Sequence, residues 1–585
     1  MTTRTLNQMT KEAEPLKVMR NIAAIFFGII LLVVLFLSKP VDFACKHLYT
    51  ADRQWFFFAI GIASIIAVFV AACLLNRKFA SSRKLLVRES TFVLLISACS
   101  IVLLLVQCYI VRLMWFETGW DVGAMVSIDA PDTMTTYLSQ YPNQVFLYGL
   151  FRIIGKMGPL FGLQSDYLSL VLGGCVCVTL AIWFSAQAAR SLFGYMVGYV
   201  TFAVSFCFVG LSPWILVPYS DSYGILCPSI VLFCYCCLSN SRVKWALMAF
   251  FSFVGYSIKP TAIFVLLALL FVELCLAVFR RDTARRRLNA ALYSAFDALL
   301  PFLLGFALAF GATAAVKSLG PELDSEKAYS MTHFLMMGAN AQTQGIFSED
   351  DVAASRQCSD KASRQAMNIQ EWESRITEMG PLGLVELSLK KTLCNFADGT
   401  FSWADEGRFW VALHGDNESA ASYYGIGSFS SADDETTNAK LFQSVSQVTW
   451  LMVLCGIALG LLRKKTERGE LAAYLALAAL AIFLTIFECR ARYLYLYAPI
   501  FVMLGIAGWV GLYRRVKTVA CGGGRYYRRD SRLIATHADG SERKIGDADK
   551  ISFQLGAGRL DWSRFLGRKN KLLQATSRSR SHGAL

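Results

Sequence analysis

Apolar residues along this chain come in blocks of roughly twenty, and most of the charge sits in the polar gaps between them. About twenty residues in a helix cover a hydrocarbon core of ~30 Å. Such blocks fall at Asn21–Leu37, Trp55–Leu75 and Phe92–Met114, then at about 167–186, 195–211, 222–238, 243–258, 261–279 and 296–316. Three more close the series at Ser446–Leu462, Leu471–Phe487 and Leu496–Tyr513. The pattern predicts an all-α polytopic membrane protein with about 12 transmembrane helices. One further apolar stretch, Asn143–Gly158, carries Arg152 and Lys156 and covers only ~24 Å. Its spacing of Phe146, Leu147, Leu150, Ile153 and Ile154 suits an amphipathic helix lying in the membrane interface.

Charge orients this pattern. Of the residues, 55% are hydrophobic and 17% charged, with a net charge of +15. Lys and Arg gather in short gaps: Asn76–Ser90, Ser239–Arg242, Arg280–Arg287 and Arg463–Arg468. That is the positive-inside pattern, not a nucleic-acid surface. It places both termini in the cytoplasm, provided that Asn143–Gly158 does not cross. The first apolar block lacks a small-residue cleavage site after it and reads as an anchor helix. Residues 317–445 hold nineteen Asp and Glu against ten Lys and Arg; following a span that leaves the basic 280–295 loop, they are expected outside, and are long enough for a small extracytoplasmic domain. The tail, 514–585, has seventeen Lys and Arg against six Asp and Glu. It reads as cytoplasmic, largely disordered and held on anionic lipid; its Gly522-Gly-Gly524 lacks the Lys-Ser/Thr ending of a phosphate loop. The expected divisions are N-terminal extra spans and a cytoplasmic loop (1–91), a catalytic membrane core (92–316) with an active-site loop (115–166), the outer segment (317–445), C-terminal spans (446–513) and the tail. Most of the seventeen Cys lie inside apolar blocks as small hydrophobes. Cys358 and Cys394 are left open as a disulfide or two thiols.

The stretch from Glu117 to Tyr148 breaks the apolar pattern most sharply. Glu117, Asp121, Asp129 and Asp132 arrive within sixteen residues, followed by Tyr141-Pro-Asn143. With the orientation above, this loop shares the outer face with three other polar sites. They are Asp221 in Pro218-Tyr-Ser-Asp-Ser-Tyr223, Lys259 in Ser257-Ile-Lys-Pro-Thr261, and Glu488-Cys-Arg-Ala-Arg-Tyr493. Each alone suits a structural ion pair or a snorkelling end residue. Together they offer carboxylates for general-base work, and Lys259, Arg490 and Arg492 for holding a phosphate. A phosphate at the lipid surface beside a base points to a lipid-phosphate donor whose head group is transferred.

That order of motifs, over roughly Phe92 to Tyr513, resembles the GT-C superfamily, most of all the branch of protein O-mannosyltransferases and the lipid A aminoarabinose transferase. The resemblance implies a GT-C-like fold in the cell membrane, an extracytoplasmic active site, a polyprenyl-phosphate sugar donor and inversion at the anomeric carbon. It implies Asp121 as catalytic base, Asp221 as a second active-site carboxylate, and Lys259, Arg490 and Arg492 on the donor phosphate. Tyr141, Asn143, Tyr219, Tyr493, Glu488 and His333 are the candidate substrate contacts; His333 and Asp398-Gly-Thr-Phe-Ser-Trp403 equally suit a folded cap. The chain departs from the branch at Tyr141-Pro-Asn143, where Glu-Lys-Pro is usual. Arg152 or a C-terminal arginine is the candidate replacement for the missing lysine. Asp121-Val-Gly lacks the Asp-x-Asp pattern of metal-dependent oligosaccharyltransferases. No cofactor is expected, although two carboxylates leave a divalent cation open. Glu273, inside a span, reads as a helix-packing partner.

The expected function is an inverting glycosyltransferase acting on an envelope glycan, lipid or protein. The rival is a multi-spanning transporter or flippase of a lipid-linked saccharide. The absence of a clear repeat of two halves, and charges at one face instead of mid-membrane, speak against it.

Overall fold

The computed structural model describes residues 3–39, 49–78, 86–117, 120–126, 131–163, 165–279, 295–403 and 437–520, and short strands between 525 and 560. Asp129, the basic residues Arg83 and Lys84, the loop Arg280–Arg287 and Gly522–Gly524 lie outside the described residues.

The helices are α1 (Thr3–Leu37), α2 (Ala51–Lys78), α3 (Glu89–Met114), α4 (Trp120–Val126), α5 (Pro131–Gln140), α6 (Val145–Met157), α7 (Asp166–Phe193) and α8 (Tyr195–Ser205). They continue with α9 (Ser220–Gly224), α10 (Leu226–Cys237), α11 (Ser241–Ile258), α12 (Phe264–Phe279) and α13 (Leu300–Lys317). After these come α14 (Met331–Gly338), α15 (Glu349–Gln357), α16 (Lys361–Phe396), α17 (Thr437–Ala458), α18 (Arg468–Ile486), α19 (Arg492–Tyr495) and α20 (Ala498–Ala520).

Ten stretches are helical, long and apolar enough to cross a membrane among the described residues. Of the twelve expected spans, two fall outside that set. Tyr195–Gly210 is apolar but shorter. The other is α11, with Arg242 and Lys244 in its opening turn. The bundle is built from neighbours in sequence and a few long-range pairs: α11 packs along α13, α7 along α8 and α10, α12 along α18, and α1 along α17 and α18. At thirteen residues α6 spans only ~20 Å, too short to cross. Its Phe146, Leu147, Tyr148 and Phe151 are buried where it packs against α7 and α13, while Arg152, Lys156, Leu160 and Phe161 are exposed.

Two findings alter the sequence picture. Residues 317–403 belong to the same compact unit as the spans, which runs Met1–Gly511. Their long helix α16 turns at Gly380 (φ 59°) and Pro381, where the chain cannot continue a helix. Its second half then enters the bundle against α1 and α18. Phe396, Phe401 and Trp403 end up buried among Trp450, Phe501 and Trp214. Polar composition over 129 residues averaged out this buried end. Cys358 and Cys394 are both free thiols.

The second unit is Leu512–Leu585, whose described residues add short strands to the helical membrane part. It holds β1 (Arg525–Arg529), β2 (Arg532–Thr536) and β3 (Glu542–Asp547) in one antiparallel sheet, and β4 (Phe553–Leu555) paired with β5 (Gly558–Leu560). Tyr526-Tyr and Leu533-Ile carry the β propensity that the tail's high charge obscured.

Candidate active site

Two chain reversals and one irregular segment assemble the polar cluster. The first reversal precedes α10. Ser222 Oγ accepts the Tyr219 N–H at 3.2 Å and donates to the Val217 carbonyl at 2.7 Å, and Asp221 in the following turn is buried. The second reversal ends α11. A residue before proline is driven out of the helical region. Lys259 is accordingly extended (φ −150°, ψ 117°), its N–H closes the last turn on Gly255 at 2.8 Å, and Pro260 opens a 3-10 turn. The irregular segment is 487–491, between α18 and α19; with the start of α19 it supplies Glu488, Arg490, Arg492 and Tyr493.

These pieces meet at Asp221. Lys259 Nζ donates to its Oδ1, and Arg492 Nε stands 3.5 Å from its Oδ2. Aromatic rings surround both cations. The Lys259 ammonium lies 4.1 Å from the Tyr493 ring centre; the Arg492 guanidinium lies 5.1 Å from Tyr219, 5.7 Å from Tyr493 and 5.8 Å from Trp214. Ring faces stabilise cations most where water is excluded. Glu488 accepts from Tyr493 Oη at 3.1 Å and lies 3.9 Å from Arg490 Nε. Asp121 is half-buried beside this group and accepts from Tyr219 Oη at 2.6 Å. Tyr219 Oη in turn accepts from Gln144 Nε2 at 3.1 Å.

Burial sets the proton affinities. It lifts the Glu488 carboxyl above its usual range, against the pull of Arg490. It lowers the Lys259 ammonium, with the Asp221 carboxylate opposing. Burial and then the Asp121 charge hold the Tyr219 and Tyr137 phenols well above theirs. Both therefore remain donors near neutrality. Three cations, Lys259, Arg490 and Arg492, face Asp121, Asp221 and Glu488, and protonation of the raised Glu488 carboxyl leaves an excess of one positive charge that suits an anion. Asp121, one hydrogen bond from Tyr219, suits a proton acceptor.

Of the residues expected from sequence, Asp121, Tyr219, Asp221, Lys259, Glu488, Arg490, Arg492 and Tyr493 are brought together. Tyr141 stands at the edge, its ring 5.0 Å from Tyr137 and 5.1 Å from Tyr329. Asn143 and Arg152 are exposed and make no described contact with the cluster. His333 is fully buried within the outer segment instead. Its ring stacks 4.3 Å from Tyr329, and its Nδ1 is 2.8 Å from Ser355 Oγ. The Ser355 proton goes to Asn368 Oδ1, so His333 Nδ1–H is the donor. Gln144, Tyr137 and Trp214 were missed; being uncharged, they give no penalty signal in an apolar chain. Trp214 Nε1 donates to the Thr400 and Phe401 carbonyls, which ties the Asp398–Trp403 turn to the cluster. Glu273 accepts from Tyr235 and pairs with Arg468 at 3.2 Å. Among the described residues, no three His, Cys, Asp or Glu side chains gather as a metal site.

Fold and site define a polytopic helical membrane protein with a buried acid–base and cation cluster at one end of its bundle. Within that class, the chain belongs to the family described as conserved hypothetical integral membrane protein, whose profile matches residues 16–510. No curated protein matches the chain. Among solved structures it is similar to ArnT from Cupriavidus metallidurans bound to undecaprenyl phosphate, at 15% identity and a TM-score of 0.27 over 74% of this chain and 80% of that one. The apo state of the same protein gives 16% identity and a TM-score of 0.25 over the same shares. Likeness that distant fixes no residue correspondence.

Proposed function

We propose that this protein is an inverting glycosyltransferase. It moves a sugar from a polyprenyl-phosphate donor to an envelope glycan, lipid or protein on the extracytoplasmic face. The observation that carries the reading is the meeting of Asp121 with the Asp221–Lys259–Arg492 group, from loops far apart in sequence, at one end of the bundle. The positive-inside charge pattern supports the outer face.

In this reading the acceptor hydroxyl attacks the anomeric carbon while Asp121 takes its proton. The bond from that carbon to the phosphate oxygen breaks, and its electron pair leaves with the lipid phosphate. Lys259, Arg490 and Arg492 hold that phosphate, Arg as a planar fork and Lys as a compact charge. Asp221 fixes the two cations that it bonds. The leaving group is a stable anion, so no strong acid is needed, and single displacement inverts the centre. The test is purified protein with a labelled polyprenyl-phosphate sugar and envelope acceptors. Release of polyprenyl phosphate supports transfer; a transporter or flippase leaves that bond intact.

A further inference from the structure

The segment 487–491 has no regular structure of its own, yet it opens a run to Tyr493 that carries four members of the cluster. What holds it comes from the outer segment. Glu488 N–H donates to the Phe334 carbonyl at 3.2 Å, and Cys489 N–H to the Gly345 carbonyl at 2.9 Å. The third tie is Lys391, on the half of α16 that enters the bundle. It is fully buried, and its described partners are two backbone carbonyls: Gly338 and Phe487, each at 2.7 Å from Nζ. A buried ammonium costs much unless its donors are satisfied. Such a group is poor material for stability alone, where a well-packed apolar side chain serves as well or better.

The surroundings are cut to fit it. Gly345 takes φ 75°, open to glycine, and a Cβ there would stand 2.9 Å from Lys391 Nζ. A Cβ on Gly338 would meet the Phe487 backbone at 2.6 Å. The outer segment thus lies with backbone on backbone along 486–489, and Lys391 bridges the two layers directly before Glu488.

We infer that Lys391 is a positioning residue, which clamps the Phe487–Tyr493 segment to the outer segment and so sets the place of Glu488, Arg490 and Arg492 for the donor phosphate. The clamp is a matter of geometry; its role in donor binding rests on the glycosyltransferase reading. Lost phosphate contacts raise KM, whereas a purely structural defect lowers the amount of active enzyme and leaves KM alone.

The experiment compares full-length wild type, Lys391→Met and Lys391→Gln in detergent. Hydrogen exchange is read on peptides covering 487–493, with KM and kcat for a polyprenyl-phosphate sugar alongside. The expected result for Lys391→Met is roughly tenfold faster exchange confined to that segment, and KM raised about tenfold or more with kcat changed less. Lys391→Gln, which keeps two N–H donors, falls between, and it is read by the same criteria if Lys391→Met does not fold. Unchanged exchange in 487–493 overturns the clamp, and unchanged KM overturns the positioning role. A wild type that turns over no such donor overturns the glycosyltransferase reading and with it the phosphate role, while the exchange arm still decides the clamp.

Discussion

Helix α18 has a buried charge cluster at each end, ~27 Å apart by helix rise, and the two are assembled from different parts of the chain. At its start Glu470 is enclosed. Arg463 Nε is 2.9 Å away and Arg20 Nη1 3.8 Å. Arg20 also donates to the Lys465 and Arg463 carbonyls, and Glu470 accepts from the Glu467 N–H. Arg20 is held by two backbone carbonyls and faces Glu470, Glu470 pairs with Arg463, and the Arg463 guanidinium lies 4.4 Å from the Phe193 ring centre, so the group fastens α1 and the 463–470 turn to each other. Past its other end, Glu488, Asp221, Lys259, Arg490 and Arg492 face one another and aromatic rings, and the main-chain ties belong to the segment that carries them. At the first end, main-chain carbonyls of the 463–465 turn lock Arg20 in place. In the proposed function, the second group is the one that exchanges partners with a ligand.

The sharpest way to break this contrast is to neutralise one carboxylate at each end. Asp121→Asn is expected to lower turnover about 10³-fold, within the usual worth of a general base, with unchanged protein in the membrane. Glu470→Gln is expected to leave turnover per folded molecule intact and to cost ~3 kcal/mol of stability, as when one partner of a buried pair is removed. Kinetics normalised to folded protein, with thermal unfolding alongside, check both. Loss of turnover in folded Glu470→Gln would erase the distinction.

A smaller effect tests the charge balance of the cluster past the far end of α18. Burial raises the Glu488 carboxyl. Below its raised pKa it is neutral and the cations are in excess. As pH rises through that pKa it ionises, and donor binding weakens. Glu488→Gln should flatten this limb of the KM profile, whereas an unaltered profile assigns the limb to another group.

A further effect, confined to the outer segment, leaves turnover untouched above neutral pH. Burial lowers His333 to about 4, against an ordinary value of 6.5. Between those values the unfolded segment binds more protons than the folded one. Stability is therefore full above ~6.5, is lost as pH falls towards 4, and levels off below it. The loss is on the order of 3 kcal/mol for a shift of this size. Protease resistance of residues 317–403 against pH reads it, and His333→Phe should remove the acid sensitivity.

What the sequence made legible follows from the membrane's cost for charge. Asp121, Asp221, Lys259, Glu488, Arg490 and Arg492 stand out because ionisable residues at span ends are expensive, and positive-inside parity sorts them to one face. Arg152 stands out for the same reason and His333 as an ionisable residue of the outer segment, yet contacts place one on an exposed helix face and the other in the core of the outer segment. Gln144 and Trp214 carry no charge, and Lys391 lies in a stretch where lysines are ordinary. Arg20 and Glu470 are 450 residues apart in sequence, so no local pattern could pair them. The strands of the tail were hidden for a related reason, since charge outweighs β propensity when composition is averaged.

The central claim is that the cluster beyond α18 breaks the bond between a sugar and a lipid phosphate. Purified full-length protein in lipid nanodiscs, given a labelled polyprenyl-phosphate sugar with envelope acceptors, measures this directly. The account predicts release of polyprenyl phosphate by wild type, with inverted configuration at the transferred anomeric carbon and near-complete loss in Asp121→Asn. An intact donor across the sugar series, or equal release by Asp121→Asn, would contradict it.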